Sequence, residues 1–153
     1  MAVRPLRFEG DQVLREVASP VTHFGDEFQT LIADLFDTMY DAQGRGLAAP
    51  QVGVSTRAFV IDTRWKEGER EPIAFVNPEI LDQAPFLQQG PEACLSIPER
   101  TFNVQRPVWV DLAWTSPSGI RQNARFHGVQ AVCVCHELDH LNGVLITDHG
   151  TEV

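Results

Sequence analysis

Apolar positions recur at helical spacing in two stretches of this chain and at strand spacing or in short runs between them. From Asp26 to Tyr40, the residues Phe28, Leu31, Ile32, Leu35, Phe36 and Met39 fall on one face of a helix. Asp26 and Glu27 stand in its first turn, where acidic side chains suit the helix dipole, and Gly44 and Gly46 end it. The segment before it, Val13 to Pro20, reads as a turn-rich lead-in. A second helix is expected over Gly128 to Leu141 and is stopped by Asn142-Gly143. It is apolar nearly all round, which predicts burial.

Between the helices the periodicity changes to β. Strands are expected at Ala58–Ile61, Ile73–Val76, Ile80–Leu81, Val108–Trp114 and Ile120–Phe126. Lys66 to Arg70 and Pro117-Ser118-Gly119 supply turns, and Val144–Ile146 reads as a short strand. This is an α+β pattern, rich in antiparallel sheet around a central second helix, with one amphipathic helix near the N-terminus. With 153 residues and no repeat or linker, one domain spanning 1–153 is expected.

The second helix carries His136-Glu137-Leu138-Asp139-His140. Histidines at i and i+4 sit one turn apart on one face, where two imidazoles can hold a single metal ion with the intervening glutamate beside its water. Such a site wants a third protein ligand. The extended HExxHxxGxxH pattern would place a histidine at 146, but this chain has Ile146 there, which argues against that class of metallopeptidase. Asp148, His149 and Glu152 lie in what reads as a frayed tail. Cys133 shares the histidine face but stands seven residues from His140, roughly 10 Å along the helix, too far for one ion to span. Cys135 points elsewhere, and both cysteines read as core; His127 is a weaker alternative. Cys94, in the extended segment Pro91–Pro98, is the best remaining ligand, although such a cysteine taken alone is more often a buried structural thiol.

Charge and cysteine content narrow the class. A net charge of −9 carries no basic footprint for DNA or other nucleic acid. Three cysteines, no apolar leader and no long apolar run predict a cytoplasmic protein with reduced thiols and no membrane span.

Three segments stand together in order: Gly44-Arg45-Gly46-Leu47-Ala48-Ala49-Pro50-Gln51, Glu92-Ala93-Cys94-Leu95-Ser96 and His136-Glu137-Leu138-Asp139-His140. They closely resemble the GxGLAxxQ, EGCxS and HExxH motifs of the peptide deformylases. The resemblance implies a metal-dependent hydrolase that removes the formyl group from N-formylmethionyl nascent peptides. It implies Cys94, His136 and His140 as ligands of one divalent ion, Fe2+ being the usual physiological metal and Zn2+, Ni2+ or Co2+ substitutes. Glu137 matches the general acid/base, and Gln51 and the Leu95 N–H match the oxyanion donors. Gly46 matches a residue whose backbone meets the substrate. Arg45 and Ala93 border the substrate chain, and Val129, Val132 and Cys133 are expected to line the pocket for the methionine side chain.

Several positions depart from the family pattern. Ala93 replaces a glycine, which costs about 1 kcal/mol if that position needs positive φ. Cys135 replaces a glutamine, and Arg45 replaces an apolar residue. The C-terminal helix thought to dock many bacterial members on the ribosome is not seen, so weak or no stable ribosome binding is expected. Glu92 and Arg106 are expected to form a buried ion pair that shapes the Cys94 segment. Asp139 either orients a ligand or is a surface acid. A metallopeptidase and a family member that binds metal or peptide without turnover remain the alternatives.

Overall fold

A computed structural model describes residues 2–153. Helix α1 spans Asp26–Asp41 and helix α2 Gly128–Leu141. The strands are β1 (Gly46–Ala48), β2 (Ala58–Ile61), β3 (Ile73–Gln83), β4 (Leu87–Cys94), β5 (Ile97–Pro107), β6 (Trp109–Thr115), β7 (Arg121–His127) and β8 (Thr151–Glu152). One sheet runs β1-β2-β3-β6-β7 and the other β4-β5-β8, with every neighbouring pair antiparallel. Gly46 therefore does not belong to the end of α1 but opens an edge strand.

Strand β2 shows why the larger sheet takes a helix on each face. All four of its residues are buried. Ala58 and Val60 pack with Leu31, Leu35 and Met39 of α1. Phe59 and Ile61, on the other face, pack with Ala131, Val134, Leu138 and Leu141 of α2. A continuous apolar run is what a strand needs when neither face meets water. The rings of Phe59, Phe75, Trp114 and Phe126 fill the α2 side, with centroids 4.7 to 5.6 Å apart along their contacts. The smaller sheet contributes Cys94, Ile97, Phe102 and Val104 to a third cluster with Leu14, Leu145 and Ile146.

The two strands expected at Ile73–Val76 and Ile80–Leu81 are one bulged strand. The break falls at Asn77, which adopts φ 49°. Its amide side chain accepts from Val21 N at 2.8 Å and donates to Val21 O at 2.9 Å, so the irregularity anchors the N-terminal segment. Strands β4 and β5 carry too many Pro, Gly and charged residues to show β periodicity; Gly90 and Pro91 are tolerated because β4 is an edge. The expected strand at Val144–Ile146 is absent. Ile146–Asp148 form a 3₁₀ turn instead, closed by Leu145 N donating to Asp148. Nor is the tail frayed: Glu152 pairs with Phe102 and Thr151 with Asn103. Among the described residues no helix is long and apolar enough to cross a membrane.

The start of α2 is less enclosed than its composition suggests, for Val129 is 57% exposed. Its C-terminal end is held firmly. Arg57 donates to Leu141 O and to the Asn142 side chain, both at 3.0 Å, satisfying acceptors that a helix end leaves unpaired. A second polar anchor lies after β2. Fully buried Asp62 accepts from Tyr40 Oη at 2.6 Å and from the Arg64, Trp65 and Glu71 amides at 3.1 to 3.2 Å.

Burial, and then the Asp62 carboxylate, push the Tyr40 phenol up to about 12. A raised folded pKa gives stability that is complete below the ordinary value of 10.0 and is lost as pH rises through about 12. Tyr40→Phe should therefore lower stability at neutral pH and make its fall between pH 10 and 12 shallower, read by urea denaturation across that range.

Candidate metal centre

The ligand atoms offered by Cys94, His136 and His140 all lie within 4.8 Å of one another, and all three residues are buried. The helix supplies two of them by its pitch. The third comes from the other sheet, where a register shift between Ala93 and Cys94 ends β4. The Cys94 sulfur stands 3.4 Å from His140 Nε2, and the two imidazole rings are 5.2 Å apart. A thiolate with two imidazoles is a donor set suited to a transition-metal ion or zinc.

The electrostatics around these donors fit a cation. Burial alone would strip a proton from His136, but Glu137, Cys94 and Glu92 together hold its pKa well above the ordinary value. His140 is shifted the other way, by burial and by the neighbouring His136, and keeps a neutral ring. The proton on His136 and a metal ion answer to the same negative surroundings. Glu137 Oε1 is buried without a hydrogen-bond partner among the described residues. Burial pushes the Glu137 carboxyl up to about 7.

His136 is oriented from behind. Its Nδ1 meets Glu92 Oε1 at 2.9 Å, which leaves Nε2 for the centre. Arg106 grips both Glu92 oxygens at 2.9 Å and reaches Asp139 at 2.7 Å. The expected Glu92–Arg106 pair is thus present and is joined to the metal helix twice. Asp139 is not a lone surface acid, since it also meets His149 Nε2 at 3.0 Å. The tail carboxylates are engaged elsewhere, Asp148 with Arg15 and Glu152 with Arg100. His127 is exposed and stands outside the cluster.

Gln51 comes from the 3₁₀ turn Ala49–Val52 after β1. Its Oε1 accepts from Ala48 N at 3.0 Å, so the amide Nε2 faces inward, 3.0 Å from Ser96 Oγ and 3.7 Å from the Cys94 sulfur. Leu95 occupies the turn between β4 and β5, outside the ladder. Gly46 leaves no room for a side chain unless Glu137 moves: a Cβ there would meet Glu137 Oε2 at 2.6 Å. That close approach lays the β1 backbone directly against the carboxylate.

These groups open into a cavity of about 610 Å³. Its wall includes Arg45, Gly46, Gln51, Ala93, Cys94 and Leu95 on one part and Val129, Val132, Cys133, His136 and Glu137 on another. His140 lies behind it, 1% exposed. Cys133 also packs against the main core cluster, and Cys135 is a core thiol. Ala93 adopts no positive φ, so its replacement of glycine carries no backbone strain. Sequence reasoning missed Ser96 as the partner of Gln51, Lys66 and Glu99 on the cavity wall, and the edge strand Gln88–Pro91 that borders it. Ser96 had a signal, its place in the Cys94 motif; the others had none.

The model of the polypeptide deformylases matches residues 3–153. The chain belongs to the polypeptide deformylase family. A peptide deformylase from Brucella suis is 46% identical over 150 residues, covering 97% of this chain and 85% of the relative. One from Rhizorhabdus wittichii is 42% identical over 154 residues, with 97% and 87% covered. The crystal structure of a peptide deformylase from Legionella pneumophila superposes with a TM-score of 0.91 at 41% identity, covering 96% of this chain and 85% of that one. The family fold, the antiparallel sheets and the metal-binding helix are those described above.

Arg106→Ala would leave Glu92 buried with its charge half-compensated and His136 less firmly oriented. Such losses cost about 3–5 kcal/mol. The variant should unfold at lower urea concentration and retain less metal after dialysis, measured by elemental analysis; metal retention equal to that of the native protein would contradict the role of Arg106.

Proposed function

We propose that Cys94, His136 and His140 hold one divalent cation, and that Glu137, Gln51 and Leu95 complete the catalytic centre of a peptide deformylase. The reaction removes the N-formyl group from the formylmethionine that begins a new polypeptide and releases formate. The observation that carries this reading is the convergence of the three donors, within 4.8 Å, beside Glu137 on a cavity wall; one buried oxygen of its carboxylate has no hydrogen-bond partner among the described residues. Family membership supports the same activity.

A divalent cation bound to these donors supplies Lewis acidity and makes hydroxide available near neutral pH. Glu137 accepts the proton of the attacking water and returns it to the departing amine nitrogen as the C–N bond breaks. Burial raises the pKa of this carboxyl above the ordinary value, which favours its taking up and returning a proton. As the formyl carbon becomes tetrahedral, its oxygen gains negative charge. The inward-facing amide of Gln51 and the backbone N–H of Leu95 donate to it. Gly46 and Ala93 present backbone to the peptide, on edge strands β1 and β4 that both border the cavity. The methionine side chain lies against Val132 and Cys133, with the exposed Val129 at the rim.

The physiological ion is read as ferrous iron, although zinc stands higher in the general affinity order and this donor set suits both. Metal analysis of protein purified without oxygen distinguishes them. The family match from residue 3 to 153 supports reading the chain as one catalytic domain. The net charge of −9 supports action on formyl peptides and emerging chains without stable docking on ribosomal RNA, in the cytoplasm where such chains are made.

Metal-loaded protein should release formate from formyl-Met-Ala-Ala. Glu137→Ala should reduce kcat by about 10²–10⁴-fold while leaving the metal bound. Cleavage of unformylated Met-Ala-Ala would indicate a peptidase, and a metal-loaded native protein that releases no formate would indicate a binding protein.

Gln51→Ala should reduce kcat/KM by about 10²-fold, corresponding to the loss of one oxyanion donor. Single-turnover measurement on the same peptide checks that the loss lies in the chemical step.

A further inference from the structure

The cavity wall beyond the reacting centre carries charge that the chemistry does not use. Arg45 and Lys66 both line the cavity, both are exposed, and among the described residues neither is engaged with a carboxylate. Their isolation is notable in a protein of net charge −9. Nearby acidic residues are already committed. Arg64 gathers Glu69 at 3.0 Å, Glu71 at 3.9 Å and Glu67 at 4.0 Å, which leaves Lys66 without an anion.

The loop that bears Lys66 is held in place. Trp65 Nε1 donates to Gly44 O at 2.9 Å, and its ring packs edge-on against Tyr40 at 5.3 Å. The backbone amides of Arg64, Trp65 and Glu71 converge on Asp62. Arg45 O accepts from Asp62 N at 2.9 Å, so the loop and Arg45 share one buried anchor. The Lys66 ammonium lies 5.7 Å from the Trp65 ring centre. Two cations are thereby presented on one wall, next to the Gly46 backbone that lies against Glu137. Glu99, the exposed carboxylate of the cavity lining, belongs to β5 of the other sheet.

We propose that Arg45 and Lys66 form an anionic subsite, which takes an acidic side chain from the residues that follow the formylated methionine of the substrate. The subsite rests on the deformylase reading and deepens it: it assigns a charge preference to the substrate chain downstream of methionine. Long cationic side chains on an anchored wall gain modestly from meeting a carboxylate, and the gain weakens with salt.

The test compares isosteres. Formyl-Met-Asp-Ala, formyl-Met-Ala-Asp and their Asn counterparts are assayed for formate release at low and high salt. Binding of the four unformylated peptides is measured by calorimetry. At one of the two positions, Asp should be favoured over Asn by about fivefold in kcat/KM and in Kd at low salt, and by less at high salt. Lys66→Glu should reverse that ratio, and Arg45→Ala should bring it towards one. The ratio is read within each variant, so any general loss of activity cancels. An Asp-to-Asn ratio of one at both positions in the native protein overturns the subsite, as does a ratio unchanged in both variants. Acidic preference in binding without formate release would sustain the subsite while overturning the deformylase reading.

Discussion

Arg106 is a buried guanidinium placed between carboxylates from two different parts of the fold. Glu92 lies on β4 of the small sheet, and Asp139 lies on α2 between the ligand histidines. Through Glu92 the same network reaches His136 Nδ1. Burying these charges is costly in isolation, and they are tolerated because each satisfies another. Burial opposes ionisation of Glu92, yet His136 and Arg106 together hold its carboxyl down at about 2. The ion-pair network therefore sets the distance between the Cys94 strand and the histidine helix. The metal centre depends on that distance, because two of its donors come from the helix and the third from the end of β4.

Around this fixed seam the rest of the molecule controls water. The larger sheet buries both faces of β2, one under α1 and the other under α2. The C-terminal end of α2 is sealed by Arg57, while its first turn opens to the cavity at Val129. One helix thus carries a core face, two of the three clustered metal donors and part of the cavity wall. Both His140 and Glu137 are buried, but only Glu137 stands on the cavity wall. Burial of the Glu137 carboxyl on that wall raises its pKa towards neutrality.

Backbone proximity does as much as side chains. Gly46 allows β1 to lie against Glu137, and Trp65 grips the carbonyl of Gly44 two residues earlier. A Cβ at Gly44 would meet Leu95 at 2.8 Å, so the first motif loop also touches the turn that follows Cys94. The three sequence motifs are three sides of one contact surface rather than separate functional tags. Ala93, which departs from the family pattern, sits in ordinary backbone conformation with its methyl towards solvent and disturbs none of these contacts.

The sequence by itself determined the two helices, the central strands and the pair of histidines, since helical pitch places His136 and His140 together without help from distant residues. It pointed to Glu92 with Arg106 through the place of Glu92 in the Cys94 motif and the basic residue that follows nearby. It could not yield β4 and β5, whose proline, glycine and charged residues are stable only through pairing with one another and with β8. Nor did it show that the tail joins that sheet, that Asn77 pins the N-terminal segment, or that Trp65 and Asp62 anchor Lys66 at the cavity. Those features rest on contacts between residues far apart in the chain. Local periodicity reports what a segment buries, whereas the partner that satisfies a buried polar group is decided only when the whole chain has packed.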